Sequence, residues 1–428
     1  MKKYFLKNSN ILYYRSLFIL ISILFLSKIY ISYQEILGNG WAYNNLFINY
    51  SAGFVRRGLL GEIFLQANNF FNIGPLYFFT TVLSFAYFLQ IFFFYKILKK
   101  YSDYKFFTTI IVLSPVLLLF YIYDLNVFLA QDVLINLTIL FHVFIVNKNV
   151  DEKNYKKILL YLLIPLLTLN LINHENQAFF IPFHLLITLY FFNNKKDSSS
   201  SLNIKSLKIY LILLIPIIIL LGSSGSFEKL FIINDSISKF DATIYDQFAG
   251  NFNLAIGGFV KWHFFYHDVF NFIRLFFCFS LSVFLIYVCF DYLIRNNIIN
   301  ISNSLAKKYL LIVFPSFAIL LIMLDHGRSL HMLSMHMISF YLLLNSNKIE
   351  LNDLLLKINK NYFLSKIFIL FLIFYLCFWH LPQGAGFVGI GNFTTIFKGT
   401  LTSELLEIFL IIFNFVDSEI INLPRIII

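Results

Sequence analysis

Long apolar runs alternate with short polar connections along this chain, and that pattern constrains its fold more than any other feature. A helix needs roughly 17–23 apolar residues to cross a membrane, and about eleven runs reach or approach that length, several of them short enough to fit a re-entrant pair instead. The predicted crossings lie at about 11–33, 74–95, 106–123, 126–146, 158–173, 177–192, 207–222, 270–292, 309–324, 330–346 and 364–381. Only 13% of the residues are charged, too few to cover a soluble fold of 428 residues. We therefore expect an all-α polytopic integral membrane protein with about 11 transmembrane helices (10–12), forming a single domain over residues 1–428.

Lysine and arginine concentrate in alternate connections between these crossings. The richer connections contain Lys96, Lys99, Lys100 and Lys105; Lys148, Lys153, Lys156 and Lys157; Lys195, Lys196, Lys205 and Lys208; Arg295, Lys307 and Lys308; and Lys348, Lys357, Lys360 and Lys366. The positive-inside rule predicts that these connections, and the N-terminus, are cytoplasmic. The net charge of +11 then reflects membrane orientation, so no nucleic-acid partner is expected. The first apolar run is too long for a cleaved signal and is interpreted as a signal anchor.

Three longer segments lie on the opposite side in this topology. They are residues 34–73, 223–269 and the C-terminal 382–428, and we expect short interfacial helices in the two loops. Residues 401–416 fit either an interfacial helix or a twelfth crossing. The 3 cysteines, Cys278, Cys289 and Cys377, lie in apolar runs and are interpreted as packing residues, with no disulfide framework and no metal cluster.

The densest polar stretch of the chain spans residues 49–62 in the first of these loops. Its three glycines allow tight turns or close backbone approach, and Arg56 and Arg57 lie between them. Guanidinium groups bind phosphate or pyrophosphate through paired hydrogen bonds, so the pair is a candidate pyrophosphate site. The alternative is that both arginines anchor an interfacial helix to lipid headgroups.

Further ionisable residues lie at the ends of predicted crossings on the same side as the arginine pair. Asp124 and Asp132 flank the start of the fourth crossing, eight residues apart and on about the same helical face. His174 and Glu175 occupy the turn between the fifth and sixth crossings. Asp325 and Arg328 occupy the turn between the ninth and tenth. Ionisable groups are costly at membrane depth, so their shared side indicates one functional site.

Each candidate also has a structural interpretation. Asp124 suits the cap of a helix, and Asp325 can pair with Arg328 on one helix turn. His331 and His336 are more typical of core histidines with satisfied hydrogen bonds. His263 and His267, with Asp268 beside them, have a spacing compatible with a metal, although interfacial anchoring explains that aromatic segment better.

Arginines facing an acid or a histidine suit the transfer of a group from a lipid-linked pyrophosphate. Substrate-binding roles fall to Arg56, Arg57, Arg328 and Asp124, which would hold the pyrophosphate or sugar. Catalytic roles fall to His174, Glu175 and Asp325, with His174 or Glu175 as the base that takes the acceptor proton. No protein metal site and no cofactor is expected.

The topology, the Gly53-Phe-Val-Arg-Arg-Gly-Leu-Leu-Gly61 stretch, the His174-Glu175 turn and Asp325-His-Gly-Arg328 together resemble bacterial O-antigen polymerases and related multispanning glycosyltransferases of surface-polysaccharide clusters. The resemblance implies block transfer of an oligosaccharide from undecaprenyl pyrophosphate at the periplasmic face of the inner membrane. It also implies a polyprenyl-linked oligosaccharide substrate, a lipid bilayer and a chain-length regulator as partners. O-antigen polymerases often place their largest outer loop late, whereas the longest loops here bracket the first half of the chain.

Two other functions remain open. A long first outer loop is similar to another glycosyltransferase plan, in which an acid in that loop is the base or binds a divalent metal. Here that loop offers Glu35 and Glu62, so a transferase using a polyprenyl-monophosphate sugar, with Glu62 as base, is the first alternative. The second alternative is a transporter or flippase for a lipid-linked oligosaccharide, which should carry charges at mid-membrane and repeated halves.

Overall fold

The structure is a computed structural model, and its regular elements within the described residues are helices. It describes residues 2–36, 41–55, 57–123, 128–129, 131–195, 204–222, 227–240, 242, 276, 279–280, 283–284, 311–322, 326–343, 370, 373–379, 381 and 400–409. No strand occurs in these ranges, which confirms the all-helical class.

The helices are numbered in chain order. They are α1 (Lys2–Ile36), α2 (Trp41–Asn45), α3 (Gly58–Phe71), α4 (Pro75–Leu98), α5 (Lys105–Val112), α6 (Leu119–Tyr123), α7 (Asp132–Asn147), α8 (Glu152–Asn173), α9 (Gln177–Lys195), α10 (Leu214–Gly222), α11 (Phe227–Ile237), α12 (Ile319–Ile322) and α13 (His326–Leu343). The 3-10 segment Ile204–Leu213 leads into α10, and the helical residues 401–409 contact α1 through a 3.0 Å ion pair between Lys28 Nζ and Glu404 Oε1.

Three of the described helices are long and apolar enough to cross a membrane. Their apolar spans are Ser9–Tyr30, Pro75–Tyr101 and Glu152–Asn173. Large apolar side chains stay exposed on them, including Ile19 at 59%, Phe85 at 65% and Tyr161 at 74%. Such faces are compatible with contact with lipid. The total of 11 crossings, the loop assignments and the orientation stay predictions.

The predicted crossing at 106–123 is not one helix, which corrects its description as a continuous span. Helix α5 ends at Val112 and α6 begins at Leu119, because Pro115 has no N–H and disfavours the helical conformation of Ser114. The intervening backbone is buried, and side chains from other helices satisfy it. His331 Nδ1 donates to the Val116 carbonyl at 2.9 Å, and the buried Tyr87 hydroxyl donates to the Leu118 carbonyl at 2.8 Å. Irregular backbone is tolerated at such depth only where protein groups satisfy it.

Helix α7 lies at the centre of the described bundle and packs against α4, α9 and α13. Its first residue is Asp132, at the same end of the bundle as the end of α8, the start of α9 and the start of α13. Because unsatisfied N–H groups point out of helix starts, this end favours acidic side chains and polar turns. The meeting of these helix ends positions the polar residues described next.

Candidate functional site

Two arginines, two carboxylates and one histidine from separate segments meet at these helix ends. We call Arg57, Asp132, His174, Glu175 and Arg328 the Arg–His–acid cluster. Arg57 precedes α3, Asp132 begins α7, His174 and Glu175 form the α8–α9 turn, and Arg328 lies in the first turn of α13. When His174 is neutral, the two positive charges of the cluster balance its two negative charges.

The deeper half of the cluster is the pair formed by Arg328 and Asp132. Arg328 donates through Nε to Asp132 Oδ2, and through Nη2 to Asp132 Oδ1 at 3.0 Å. The side chains are only 3% and 0% exposed, respectively. A buried two-point contact of this kind fixes both groups, because neither can be solvated if the other leaves.

The outer half of the cluster is the pair formed by Arg57 and Glu175. Arg57 Nε lies 3.1 Å from Oε1 and 3.0 Å from Oε2 of Glu175, and Nη2 also donates to Oε1. These side chains are 14% and 16% exposed, so this pair is the part of the cluster that a substrate can reach first.

His174 lies between the two pairs. Arg328 Nη2 donates to its Nε2 at 2.9 Å, and the backbone N–H of Asn176 donates to its Nδ1 at 3.2 Å. A neutral imidazole has only one accepting nitrogen, so these two donors cannot both be satisfied. The nitrogen that carries the proton faces a carboxylate instead, with Nε2 3.9 Å from Asp132 Oδ1 and Nδ1 3.8 Å from Glu175 Oε2. Each ring nitrogen of His174 therefore lies within 4 Å of a carboxylate, one from each pair.

The glycines of the 49–62 stretch allow the chain to hold Arg57 in this position. Arg57 itself adopts a left-handed conformation, with φ 65°, just before α3. A Cβ on Gly58 would overlap the Tyr50 ring, and a Cβ on Gly61 would overlap the Ile48 carbonyl. Both positions therefore need glycine for close packing of the loop on the first turns of α3.

Polar contacts then lock the loop in place. The Tyr50 N–H donates to Glu62 Oε2 at 3.1 Å, and Gln66 donates to Glu62 Oε1 at 2.8 Å. Asn49 Nδ2 donates to Ser236 on α11 at 3.0 Å. Burial, followed by the nearby charge of Glu62, raises the pKa of Tyr50 to about 12. These contacts use Glu62 as an anchor of the loop.

The polar α8–α9 turn is held by Asn170. Its side-chain amide donates to Thr138 Oγ1 at 2.6 Å and to the Leu134 carbonyl at 3.1 Å, both on α7. Its carbonyl accepts the His174 N–H at 2.7 Å. The turn that carries His174 and Glu175 is therefore tied directly to the helix that carries Asp132.

Several buried polar atoms on the segments that carry the cluster lack a hydrogen-bond partner among the described residues. They are Asn173 Oδ1, both amide atoms of Asn176, Gln177 Nε2, Gln131 Oε1 and Ser329 Oγ. Buried polar groups rarely stay unpaired, so this region has hydrogen-bonding capacity left for water or a ligand.

The structure thus brings together Arg57, His174, Glu175 and Arg328 of the predicted site residues. Arg56, Asp124 and Asp325 lie outside the described residues, and their placement stays a prediction. Asp132 is the main addition, since the sequence pattern placed it on one helical face with Asp124 but gave the substrate-binding role to Asp124 alone. Its signal was that of an acid six residues beyond the start of a predicted crossing, where a charge requires a partner.

Two histidines of α13 lie deeper. His331 has a partner on each ring nitrogen, the Val116 carbonyl at 2.9 Å and Asn136 Nδ2 at 3.0 Å, as the core-histidine interpretation describes. His336 has one partner, the Met332 carbonyl at 2.8 Å. His263 and His267 fall outside the described residues.

Within the described part of the chain, no group of three or more His, Cys, Asp or Glu residues could hold a metal ion. Comparison of the chain with protein-family models, with curated proteins and with solved structures finds no match.

Proposed function

We propose that this protein is a membrane glycosyltransferase that polymerises polyprenyl-pyrophosphate-linked oligosaccharide repeat units at the extracytoplasmic face of the bacterial inner membrane. The observation that carries the proposal is the Arg–His–acid cluster. It joins a partly exposed arginine–carboxylate pair to a histidine that contacts a second, buried pair. Its parts match the needs of transfer from a pyrophosphate, namely positive charge for the leaving group and a base for the acceptor.

Arg57 is the group that would bind the leaving pyrophosphate first. It is 14% exposed, and its bonds to Glu175 use Nε and Nη2. A pyrophosphate approaching Arg57 competes with Glu175 for the guanidinium, so binding would release the carboxylate toward His174, 3.8 Å away. Arg56, adjacent in sequence, would supply the second positive charge.

His174 is the proposed general base. In the transfer step, the acceptor hydroxyl gives its proton to His174 and its oxygen forms a bond to the anomeric carbon of the donor sugar. The bond from that carbon to the pyrophosphate oxygen breaks, and the pyrophosphate leaves with the electron pair, held by the arginines. Glu175 would stabilise the protonated imidazole. Arg328 and Asp132 act as positioning residues, because their buried pair fixes the ring of His174.

The monophosphate-sugar alternative has less support from the described contacts. Both carboxylate oxygens of Glu62 accept hydrogen bonds that hold the loop, at 3.1 and 2.8 Å. A base used this way would have to give up those bonds. Glu175 also bonds this loop, through Arg57, but that partner is the group that a pyrophosphate would take over, and His174 lies beside it.

The transporter remains a second candidate, because one observation favours it. His142, His184 and His336 lie fully buried in the interior of α7, α9 and α13, away from the Arg–His–acid cluster. Ionisable groups at such depth are typical of membrane transporters.

Surface polysaccharide from a deletion strain tests the proposal. We expect a gel to show a single-repeat band in place of the polymer ladder, with the ladder restored by the wild-type gene. Arg57→Ala should fail to restore it. Lys156→Ala is the matched control, since it removes an exposed lysine–glutamate pair far from the site and should restore the full ladder. A full ladder with Arg57→Ala contradicts the proposed site. Loss of every repeat unit on deletion indicates the transporter or an earlier transferase, and unaltered polysaccharide rejects all three functions.

A further inference from the structure

A second polar cluster lies inside the bundle, away from the proposed active site. His142, His184 and His336 come from α7, α9 and α13, and each is 0% exposed. At 1.5 Å per residue they lie roughly 15, 10 and 12 Å along their helices from Asp132, Gln177 and Arg328. Three histidines from three helices therefore share one depth in an apolar interior.

Hydrogen bonds link two of these histidines to three hydroxyl groups. His142 Nδ1 and His184 Nδ1 are 3.0 Å apart, and His142 Nε2 is 2.8 Å from the Tyr155 hydroxyl. The Tyr155 hydroxyl is hydrogen-bonded to Thr188 Oγ1 at 3.0 Å, and Thr188 Oγ1 is hydrogen-bonded to the Tyr210 hydroxyl at 2.8 Å. We call these five residues, with His336, the histidine relay.

The relay has two alternative proton arrangements. In one, His142 carries its proton on Nε2, donates to Tyr155 and accepts from His184 Nδ1. In the other, Tyr155 donates to His142 Nε2, His142 donates from Nδ1 to His184, and His184 carries its proton on Nε2. Both satisfy every bond of the chain itself, because each imidazole and each hydroxyl can donate and accept. In the first, Tyr210 also keeps its 3.1 Å hydrogen bond to the His184 carbonyl, and in the second it gives that bond up to donate to Thr188. Moving from one to the other shifts one proton along each bond in the same direction.

One end of the relay is open. His184 Nε2 has no hydrogen-bond partner among the described residues, and neither has His336 Nε2. His336 Nδ1 must donate, because its partner at 2.8 Å is the Met332 carbonyl, so Nε2 of the neutral ring is an acceptor. The centroids of the two rings are 6.3 Å apart. One bridging water molecule spans such a separation.

We propose that the histidine relay conducts a proton between the Tyr210 end of the chain and His336. A proton from water reaches Tyr210, which is 6% exposed and passes its own proton to Thr188, Tyr155 protonates His142 Nε2, and His142 passes its Nδ1 proton to His184. His184 then releases its Nε2 proton to His336, which becomes cationic, and Tyr155 is refilled from Thr188. One proton enters and one arrives, and no oxidant or reductant is needed.

The surroundings favour a neutral resting state. The His336 ring packs on Phe180 at 4.2 Å and Phe183 at 5.5 Å. The titratable neighbours are His331 on the same helix and the relay tyrosines on α8 and the 3-10 segment before α10. No carboxylate contacts the three histidines within the described helices. A proton on His336 is therefore a transient, high-energy species, as a relay requires.

The test is solid-state NMR of the full-length protein, labelled with 15N-histidine, in lipid bilayers. Nitrogen shifts separate protonated from unprotonated ring nitrogens, and His184→Asn identifies the His142–His184 signals. We expect both rings to exchange between two tautomers. Tyr155→Phe should slow the exchange at least tenfold, because it removes the hydroxyl that delivers the proton, and Thr188→Val should do the same from one link farther away.

Tyr87→Phe is the matched control. It removes an equally buried tyrosine hydroxyl, whose 2.8 Å bond to the Leu118 carbonyl lies outside the relay. We expect it to leave the exchange unchanged. A single fixed tautomer of His142 and His184 in the wild type overturns the proposal, and so does exchange that persists in Tyr155→Phe and Thr188→Val. The readout does not depend on polysaccharide synthesis, so it can fail independently of the proposed function.

Discussion

Replacing Asp132 by asparagine should destabilise the protein far more than its small change in shape suggests. Asp132 and Arg328 are 0% and 3% exposed, so the substitution leaves a buried guanidinium without its counter-charge. Removing one partner of a buried pair costs about 3–5 kcal/mol. Asparagine has one side-chain oxygen in place of the two that accept hydrogen bonds from Arg328. Its NH2 group would face an arginine N–H, and two donors cannot form a hydrogen bond with each other. That cost corresponds to a factor of roughly 10²–10³ or more in the folded-to-unfolded ratio.

The assay is SDS-induced unfolding of the purified protein in mixed micelles, followed by circular dichroism. Glu152→Gln is the matched control, because its ion pair with Lys156 is 58% and 43% exposed and should be worth no more than about 0.5 kcal/mol. The double variant Asp132→Leu with Arg328→Met removes both charges and should recover most of the stability lost in Asp132→Asn. If Asp132→Asn and Glu152→Gln unfold at the same SDS concentration, the buried pair does not stabilise the site and the reasoning is refuted.

Three smaller predictions address the loop, the leaving-group site and a helix cap. Gly61→Ala places a Cβ against the Ile48 carbonyl and should cost about 1–3 kcal/mol in the same unfolding assay. Arg57→Lys keeps the charge but loses the two-point contact with Glu175, so it should restore only a weak polymer ladder; a full ladder would mean that charge alone suffices. The pKa of Asp151 is lowered because its carboxylate accepts a backbone N–H of α8, 3.1 Å away. A lowered pKa stabilises the fold above the unfolded-state pKa and loses that contribution as the pH falls. Asp151→Ala should therefore flatten the fall in the unfolding midpoint below about pH 4.

Hydropathy predicted the helices well where apolar runs are bounded by turn residues. The predicted starts at 74 and 177 lie within one residue of α4 and α9, since Gly74-Pro75 and the polar turn before Gln177 are local signals. The break within 106–123 could not be predicted in the same way. A window average ignores which distant side chains will satisfy freed carbonyls, and here His331 does so from α13.

The candidate site was predictable as a set of residue types but not as a set of pairs. The cost of ionisable groups at membrane depth selected His174, Glu175 and Arg328 from the sequence. One partner of Arg328, Asp132, is 196 residues away in the chain. Long-range pairing depends on which helices pack together, and a single sequence carries no direct record of that.

The histidine relay was missed altogether. His142 and His184 lie singly within apolar runs, where a lone histidine is usually a core residue. The two histidines form a pair only because α7 and α9 pack together, which brings the two Nδ1 atoms to 3.0 Å from each other.

The central claim is that the Arg–His–acid cluster is the site of polymerisation, and His174 tests it most directly. A deletion strain expressing His174→Asn, at a membrane abundance equal to wild type, should yield surface polysaccharide that runs on a gel as the single-repeat band alone. Asparagine keeps a polar group in the turn but cannot accept a proton at neutral pH. A polymer ladder of wild-type length and intensity would contradict the account.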